Sequence, residues 1–253
     1  MSLTHFIAIL VAGTAAGTIN TVVGSGSLIT FPTLVALGYP PLVANVSNNI
    51  GLVPGSLSGA YGYRRELAGQ RPRLLRLLPA SALGGLTGSL LLLALPSTVF
   101  RKVVIVLIAV ALILVVLQPT VSRRLAARRR AGAHGHREVT PALAAIVCAA
   151  GVYGGYFGAA QGIILIATLG IFLDDELQRL NACKNVLALT VNGVASLVFV
   201  LSSTRIDWKV VATIAIGSTI GGQIGAKVGR RLDPRVLRAL IVVVGLTALV
   251  RLL

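Results

Sequence analysis

Residues Gly13 to Asn49 read GTAAGTINTVVGSGSLITFPTLVALGYPPLVANVSNN, and this stretch decides the class of the chain. It is too apolar for a soluble loop and too rich in glycine, serine, threonine and asparagine for an ordinary core helix. A second version runs from Gly151 to Asn185, GVYGGYFGAAQGIILIATLGIFLDDELQRLNACKN. Each copy has glycines seven apart (Gly17 and Gly24; Gly151 and Gly158), then a small or polar patch (GSGS; AAQG). An apolar run ending in Thr-Leu follows (Thr33-Leu34; Thr168-Leu169), and each copy closes on Asn-x-x-x-Asn (Asn45 and Asn49; Asn181 and Asn185). A weak duplication with an interrupted apolar segment in each half points to a transporter's binding site.

Composition agrees with that class. The 253 residues are 55% hydrophobic and only 12% charged, with mean hydropathy +0.89. Apolar runs near twenty residues recur, enough to cross roughly 30 Å of hydrocarbon at about 1.5 Å per residue. The expectation is an all-α polytopic membrane protein with about eight transmembrane segments in two homologous halves, each opening with an interrupted helix. The first half covers 1–118, a basic cytoplasmic linker 119–140, and the second half 141–253. Small-residue stripes, Gly84-Gly85-x-x-Gly88 and Gly217-x-x-x-Gly221-Gly222-x-x-Gly225, read as close helix packing. Cys148 and Cys183 have no disulfide or metal spacing and read as packing residues. The start, MSLTHFIAIL, lacks a charged n-region, so no cleaved signal peptide is expected.

The net charge of +16 would suggest nucleic acid in a soluble protein. Here the charges sit between spans: Arg64, Arg65, Arg71, Arg73 and Arg76 in one loop, and Arg123, Arg124, Arg128, Arg129, Arg130 and Arg137 in another. Basic loops belong on the cytoplasmic face. Topology therefore explains the arginines, with anionic headgroups as expected neighbours. No nucleic-acid partner is expected, and homo-oligomerisation is open to the chain. Eight simple crossings put the amino terminus inside but leave Arg230, Arg231 and Arg235 outside, against the charge rule. A re-entrant fifth segment would remove the conflict and make the second half an inverted copy.

Non-helical backbone at membrane depth survives only inside protein or beside a water-filled cavity. A broken helix exposes N–H groups at a half-helix N-terminus, a positive dipole end suited to an anion. GSGS before Leu28, with Ser25 and Ser27, would supply one such end, and the Gln161-Gly162 break the other. Residues spaced by four share a helix face, so Asn45 and Asn49 point together, as do Asn181 and Asn185. Asn48 lies beside the first pair and Lys184 beside the second. All seven acidic residues fall in loops or at segment ends. Lys184 is therefore a candidate unpaired charge inside a span, and such a residue is a functional hypothesis by default. Asn20 is a further polar residue deep in apolar sequence.

The duplicated arrangement, the run GSGSLITFPTL and the second-half GVYGGYFGAAQGIILIATLG resemble the TauE/SafE family, often called sulfite exporters. The resemblance covers about Phe6 to Val250. It implies a multi-pass bacterial inner-membrane transporter moving small anions such as sulfite, sulfonates or organic acids outward. The chain departs from the glycine-richer family pattern at Ala159-Ala160-Gln161-Gly162, where Gln161 would narrow or alter the site.

The expected substrate-binding set is Asn20, Ser25, Ser27, Asn45, Asn48, Asn49, Gln161, Asn181, Lys184 and Asn185. No cofactor, metal or catalytic residue is expected. A membrane-embedded enzyme would need a nucleophile, an acid–base pair or a metal cluster. The histidines are His5, His134 and His136, the last two in the basic linker, and no carboxylate lies within a span. A non-transporting scaffold is the other alternative, but it has no need of two broken polar segments. The absence of an embedded Asp, Glu or His chain predicts anion exit driven by the membrane potential.

Overall fold

The computed structural model describes residues 1–130, 139–202, 205–228 and 234–252. Among them the chain is all helical: α1 (Leu3–Val22), α2 (Ser27–Ala36), α3 (Pro41–Gly62), α4 (Arg71–Ala94), α5 (Ser97–Arg130), α6 (Pro141–Tyr156), α7 (Gln161–Phe172), α8 (Leu177–Ser202), α9 (Trp208–Val228) and α10 (Pro234–Leu252). The first and fifth apolar segments of the sequence are each two helices, α1 with α2 and α6 with α7. Stretches in α1, α4, α5 and α8 are long and apolar enough to cross a membrane.

The breaks fall where the backbone leaves helical space. Gly24 has φ +88° and Gly158 has φ +75°, values that cost a side-chain-bearing residue roughly 1–2 kcal/mol. Ala160 takes φ +62° without glycine's freedom, so the second break carries local strain. Pro40 and Pro41 close the first unit and open the next helix: Pro41 stands in the first turn of α3, where its missing N–H costs nothing. Pro141 does the same for α6 behind Thr140, whose side chain accepts from Leu143 N–H at 3.2 Å.

α2 folds back along α1. A Cβ on Gly26 would lie 2.3 Å from the Ala16 carbonyl oxygen and 2.9 Å from Asn20 Cβ. The hairpin therefore returns to the end where α1 began, and His5 and Tyr39 come within 6.4 Å, ring to ring. Met1, Tyr39, Val43 and the segment 205–209 line one cavity of about 520 Å³ at that end. At the opposite end, Arg73 and Gln70 meet Asp175 and Arg179. Three crossings of the bundle's small-residue stripes set the directions. Gly13 sits beside Ile214 and Gly17 beside Ser218, so α1 and α9 run parallel. Gly51 meets Ile214, Gly55 meets Ser218 and Gly62 meets Ala226, so α3 runs with them. In the other half Gly84 meets Cys148 and Gly88 meets Val152, so α4 and α6 are parallel too.

These directions separate the amino terminus from the basic loop at 64–70, because α3 runs from the Tyr39 end to the Arg64 end. Eight simple crossings had put them on one face; the fold-back of α2 adds a reversal. The glycine stripes serve as packing surfaces: a Cβ on Gly84 would stand 2.2 Å from the Cys148 carbonyl oxygen, and one on Gly221 2.0 Å from that of Thr14. Both cysteines are free. α5 shows Val106, Ile113 and Val116 outward but buries Val104, Ile108, Ala111 and Val115, so only one of its faces meets lipid. It also continues through Pro119 to Arg130, so part of the basic linker is helical. His134 and His136 lie outside the described residues.

Candidate functional site

The two breaks meet each other. Gly162 N–H donates to the Gly24 carbonyl at 3.0 Å, and a Cβ on either glycine would come within 2.4 Å of the other's Cα. The joint brings the start of α2 beside the start of α7. Neither helix has a side-chain cap, so apart from Gly162 N–H, which the Gly24 carbonyl takes, the positive ends of both dipoles lie at the joint. A Cβ on Gly158 would lie 3.8 Å from Ser27 Oγ, which ties the second break to the first turn of α2.

Buried polar atoms without partners occur at the breaks, in Ser25 and Gln161, while the Tyr156 ring on the flank packs 6.0 Å from Phe100 of α5. Among the described residues, the buried side-chain atoms lacking any hydrogen bond are Ser25 Oγ, Ser81 Oγ, Tyr156 Oη and Gln161 Nε2. All but Ser81 belong to the breaks or their flanks. Leaving one such group unpaired costs about 1–3 kcal/mol, so an occupant that pairs them would recover that cost. Gln161 lies back on α6, where a Cβ at Gly154 would come 2.3 Å from its side-chain amide. Glycine at 154 makes room for it.

The last carbonyls of α1 form the second part of the site. Val23 and Gly24 N–H both return to the Ile19 carbonyl, at 2.7 and 3.0 Å, so Asn20 O loses the donor a continuing helix would give it. Lys184 Nζ fills the gap, donating to Asn20 O at 3.1 Å and Thr21 O at 3.3 Å. Asn181 and Asn185 donate to the same Thr21 oxygen at 3.3 and 3.4 Å. Three donors around an oxygen with two lone pairs leave N–H capacity to spare. Lys184 is 1% exposed, the one charged side chain buried among the described residues, and forms no ion pair among them.

The first half presents a matching face with different wiring. Asn45 donates to the Tyr156 carbonyl at the end of α6, at 3.0 Å, as Asn181 does to the end of α1. Asn48, the counterpart of Lys184, accepts from the Thr30 hydroxyl of α2. Asn49 accepts from Ser196 of α8 at 3.0 Å, and the Asn20 side chain donates to Ser56 of α3 at 3.3 Å. The structure thus brings Asn20, Asn181, Lys184 and Asn185 together, ties Asn45, Asn48 and Asn49 to neighbouring helices, and leaves Ser25 and Gln161 unpaired. Sequence reading missed Tyr156 and the Thr21 carbonyl. Tyr156 had a signal, a lone hydroxyl in Gly-Gly-Tyr just before the break; a backbone carbonyl has none.

Far from the joint, at the Arg64 end, Asp175 accepts from Arg73 at 2.7 Å and from Arg179 at 2.8 Å. Gln70 donates to the Arg179 carbonyl at 2.8 Å, and Arg179 to that of Ala68 at 3.0 Å. Burial pushes the Asp175 carboxyl up, but the hydrogen bonds from Arg73 and Glu176 N–H and both arginine charges outweigh it. The carboxyl is left below its ordinary value.

Comparison with known proteins agrees with this architecture. The profile of the family "Sulfite exporter TauE/SafE" matches residues 9–252. A "Probable membrane transporter protein YfcA" of Escherichia coli K12 is 26% identical over 239 residues, 94% of this chain and 86% of that protein. A "Probable membrane transporter protein" of Haemophilus influenzae is 27% identical over 233 residues, 92% and 88% of the two chains. One from Sinorhizobium sp, "ORF9", is 27% identical over 253 residues, 98% and 93%. No solved structure matches the chain significantly. With nearly its whole length matched and stretches in four described helices long and apolar enough to cross a membrane, the chain is a multi-pass membrane protein that belongs to the sulfite exporter TauE/SafE family of transporters.

Proposed function

We propose that the protein exports a small anion, such as sulfite, a sulfonate or an organic acid, through the joint of the two helix breaks. The observation that carries this reading is the meeting of two helix N-termini that lack side-chain caps, with unpaired Ser25 and Gln161 atoms beside them. Lys184 supplies a fixed positive charge at the end of α1, with a third N–H left for the anion after its two carbonyl bonds. Asn181 and Asn185 orient it, and Asn45, Asn48 and Asn49 complete the matching face.

In the membrane, α3, α4, α5, α8, α9 and α10 cross, while α1–α2 and α6–α7 re-enter from opposite faces as inverted copies. The packing pairs support this: α1 lies on α9 as α6 lies on α4, and α2 on α10 as α7 on α5. The basic connection at 64–70 and the basic end of α5 then fall on the cytoplasmic side, as the charge rule expects, with Arg205 and Lys209 at the other end. α5 has 34 residues, about 51 Å at 1.5 Å each, and overruns a ~30 Å core so that Arg123 to Arg130 lie among headgroups or in water.

Flux into and out of proteoliposomes with a panel of anions tests the reading. With no ion gradients, a 100 mV potential adds about 2.3 kcal/mol per charge, roughly fiftyfold for a monovalent anion. Absence of flux for every anion in the panel would remove this function.

A further inference from the structure

Helix breaks at membrane depth free backbone carbonyls, and in transporters built this way such carbonyls bind the mobile cation that drives the cycle. Here the carbonyls are freed at Asn20 and Thr21, where the Gly24 N–H turns back to Ile19. They are not open to a mobile ion. The Lys184 ammonium stands between them at 3.1 and 3.3 Å, delivered from α8 by its own side chain.

We infer that Lys184 is a tethered cation occupying the carbonyl cage where a coupling ion would otherwise bind, so that anion movement by this protein needs no sodium. This rests on the transporter reading above. An ammonium and an alkali ion make the same demand on the cage: one positive charge facing the oxygens at the negative end of a helix dipole. Asn181 and Asn185 converge on the same Thr21 oxygen and hold the cage shut around the ammonium. Among the described residues no carboxylate pairs with Lys184, so its charge is balanced by carbonyl dipoles and, when present, by the transported anion. The duplicated half has no such device. At the end of α6 the Tyr156 carbonyl, one residue beyond the counterpart of Thr21, accepts the neutral Asn45 amide, and Asn48 stands in the place of Lys184. The cation therefore belongs to one half alone. While protonated, the tethered ammonium attracts the anion without being released, and each turnover moves the anion's own charge across the membrane.

The test has a binding arm and a flux arm. In the binding arm, thermal unfolding of the purified protein is followed in choline, sodium, potassium and methylammonium chloride. The wild type is expected to unfold at the same temperature in all four. Lys184→Ala, or Lys184→Asn if the alanine variant does not fold, is expected to unfold earlier in choline and to recover with a small cation that refills the cage. In the flux arm, wild-type rates are expected to be equal in sodium and choline media. Lys184→Ala in choline is expected to lose about 10- to 100-fold, the scale of hydrogen bonds to a charged group, and to regain flux with the cation that restores stability. A sodium requirement for wild-type flux, or a sodium-induced rise in wild-type unfolding temperature, overturns the inference. So does a variant that folds yet responds to none of the small cations. If the wild type moves no anion at all, the transport reading fails, while the binding arm still decides whether Lys184 fills a cation cage.

Discussion

Gly162 donates its N–H to the Gly24 carbonyl at 3.0 Å, and this bond joins the two helix breaks of the molecule. The approach is possible only because neither residue has a Cβ: one added to Gly24 would stand 2.4 Å from Gly162 Cα. Gly24→Ala is expected to disrupt both breaks, since it adds positive-φ strain to a backbone clash. Gly158→Ala has the strain but a milder contact, 3.2 Å from the Gly154 carbonyl, and is expected to cost about 1–2 kcal/mol. Thermal unfolding and anion flux of the two variants give the ranking; equal, mild effects would mean that the joint tolerates separation.

Unpaired buried hydroxyls make a prediction of opposite signs. Tyr156→Phe and Ser25→Ala each remove a buried polar atom that has no hydrogen-bond partner within the protein. Each is expected to raise stability, by up to about 1–3 kcal/mol, while weakening the anion. Unfolding temperature and the concentration for half-maximal flux, measured on the same preparations, separate this from simple packing. A variant that loses stability and keeps its affinity would assign the hydroxyl a structural role.

Asp175 ties the start of α4 to the start of α8 through Arg73 and Arg179. Its carboxyl sits below the usual value in the folded state, so its contribution is present above the unfolded value of about 3.9 and is lost as pH falls through the folded one. Asp175→Asn is expected to lower the unfolding temperature at neutral pH. The gap between variant and wild type is expected to close as pH is taken below the carboxylate range. A gap that stays constant with pH would show that the charge on Asp175 contributes nothing.

Re-entrant hairpins and simple crossings differ in where the exposed ends lie. In a background lacking Cys148 and Cys183, cysteines replacing Ala68 and Ala127 are expected to be reached by an impermeant reagent only from the cytoplasmic side. Cysteines replacing Leu3 and Trp208, both well exposed, are expected to be reached only from outside. Eight crossings would instead put all four positions inside, so labelling of Leu3→Cys from the cytoplasm decides against the hairpins.

Much of the fold was legible in the sequence because its causes are local. Hydropathy and run length set the membrane class, and prolines at 40, 41 and 141 mark helix starts that any chain would respect. The first break was visible because glycine and serine interrupt the apolar run at Gly24–Ser27; the second was legible at Gln161-Gly162, which the structure makes the first turn of α7, with the backbone leaving helical space just before it at Gly158 and Ala160. The asparagine pairs were visible because i and i+4 share a face. Lys184 was legible as a candidate charge within a span that has no acidic partner there.

What the tertiary structure decided is direction and partnership. Whether α2 continues across the membrane or returns along α1 depends on how Gly26 packs on Ala16, which no hydropathy pattern records. That choice moves the amino terminus to the opposite face and brings the two breaks into contact. The destination of Lys184 is of the same kind. Its partners are the carbonyls of Asn20 and Thr21, more than 160 positions earlier, freed by a backbone turn. Every residue has a carbonyl, so composition carries no sign of which ones are left without a donor; the backbone turn at Gly24 frees these two, and only the tertiary fold brings Lys184 of α8 to them.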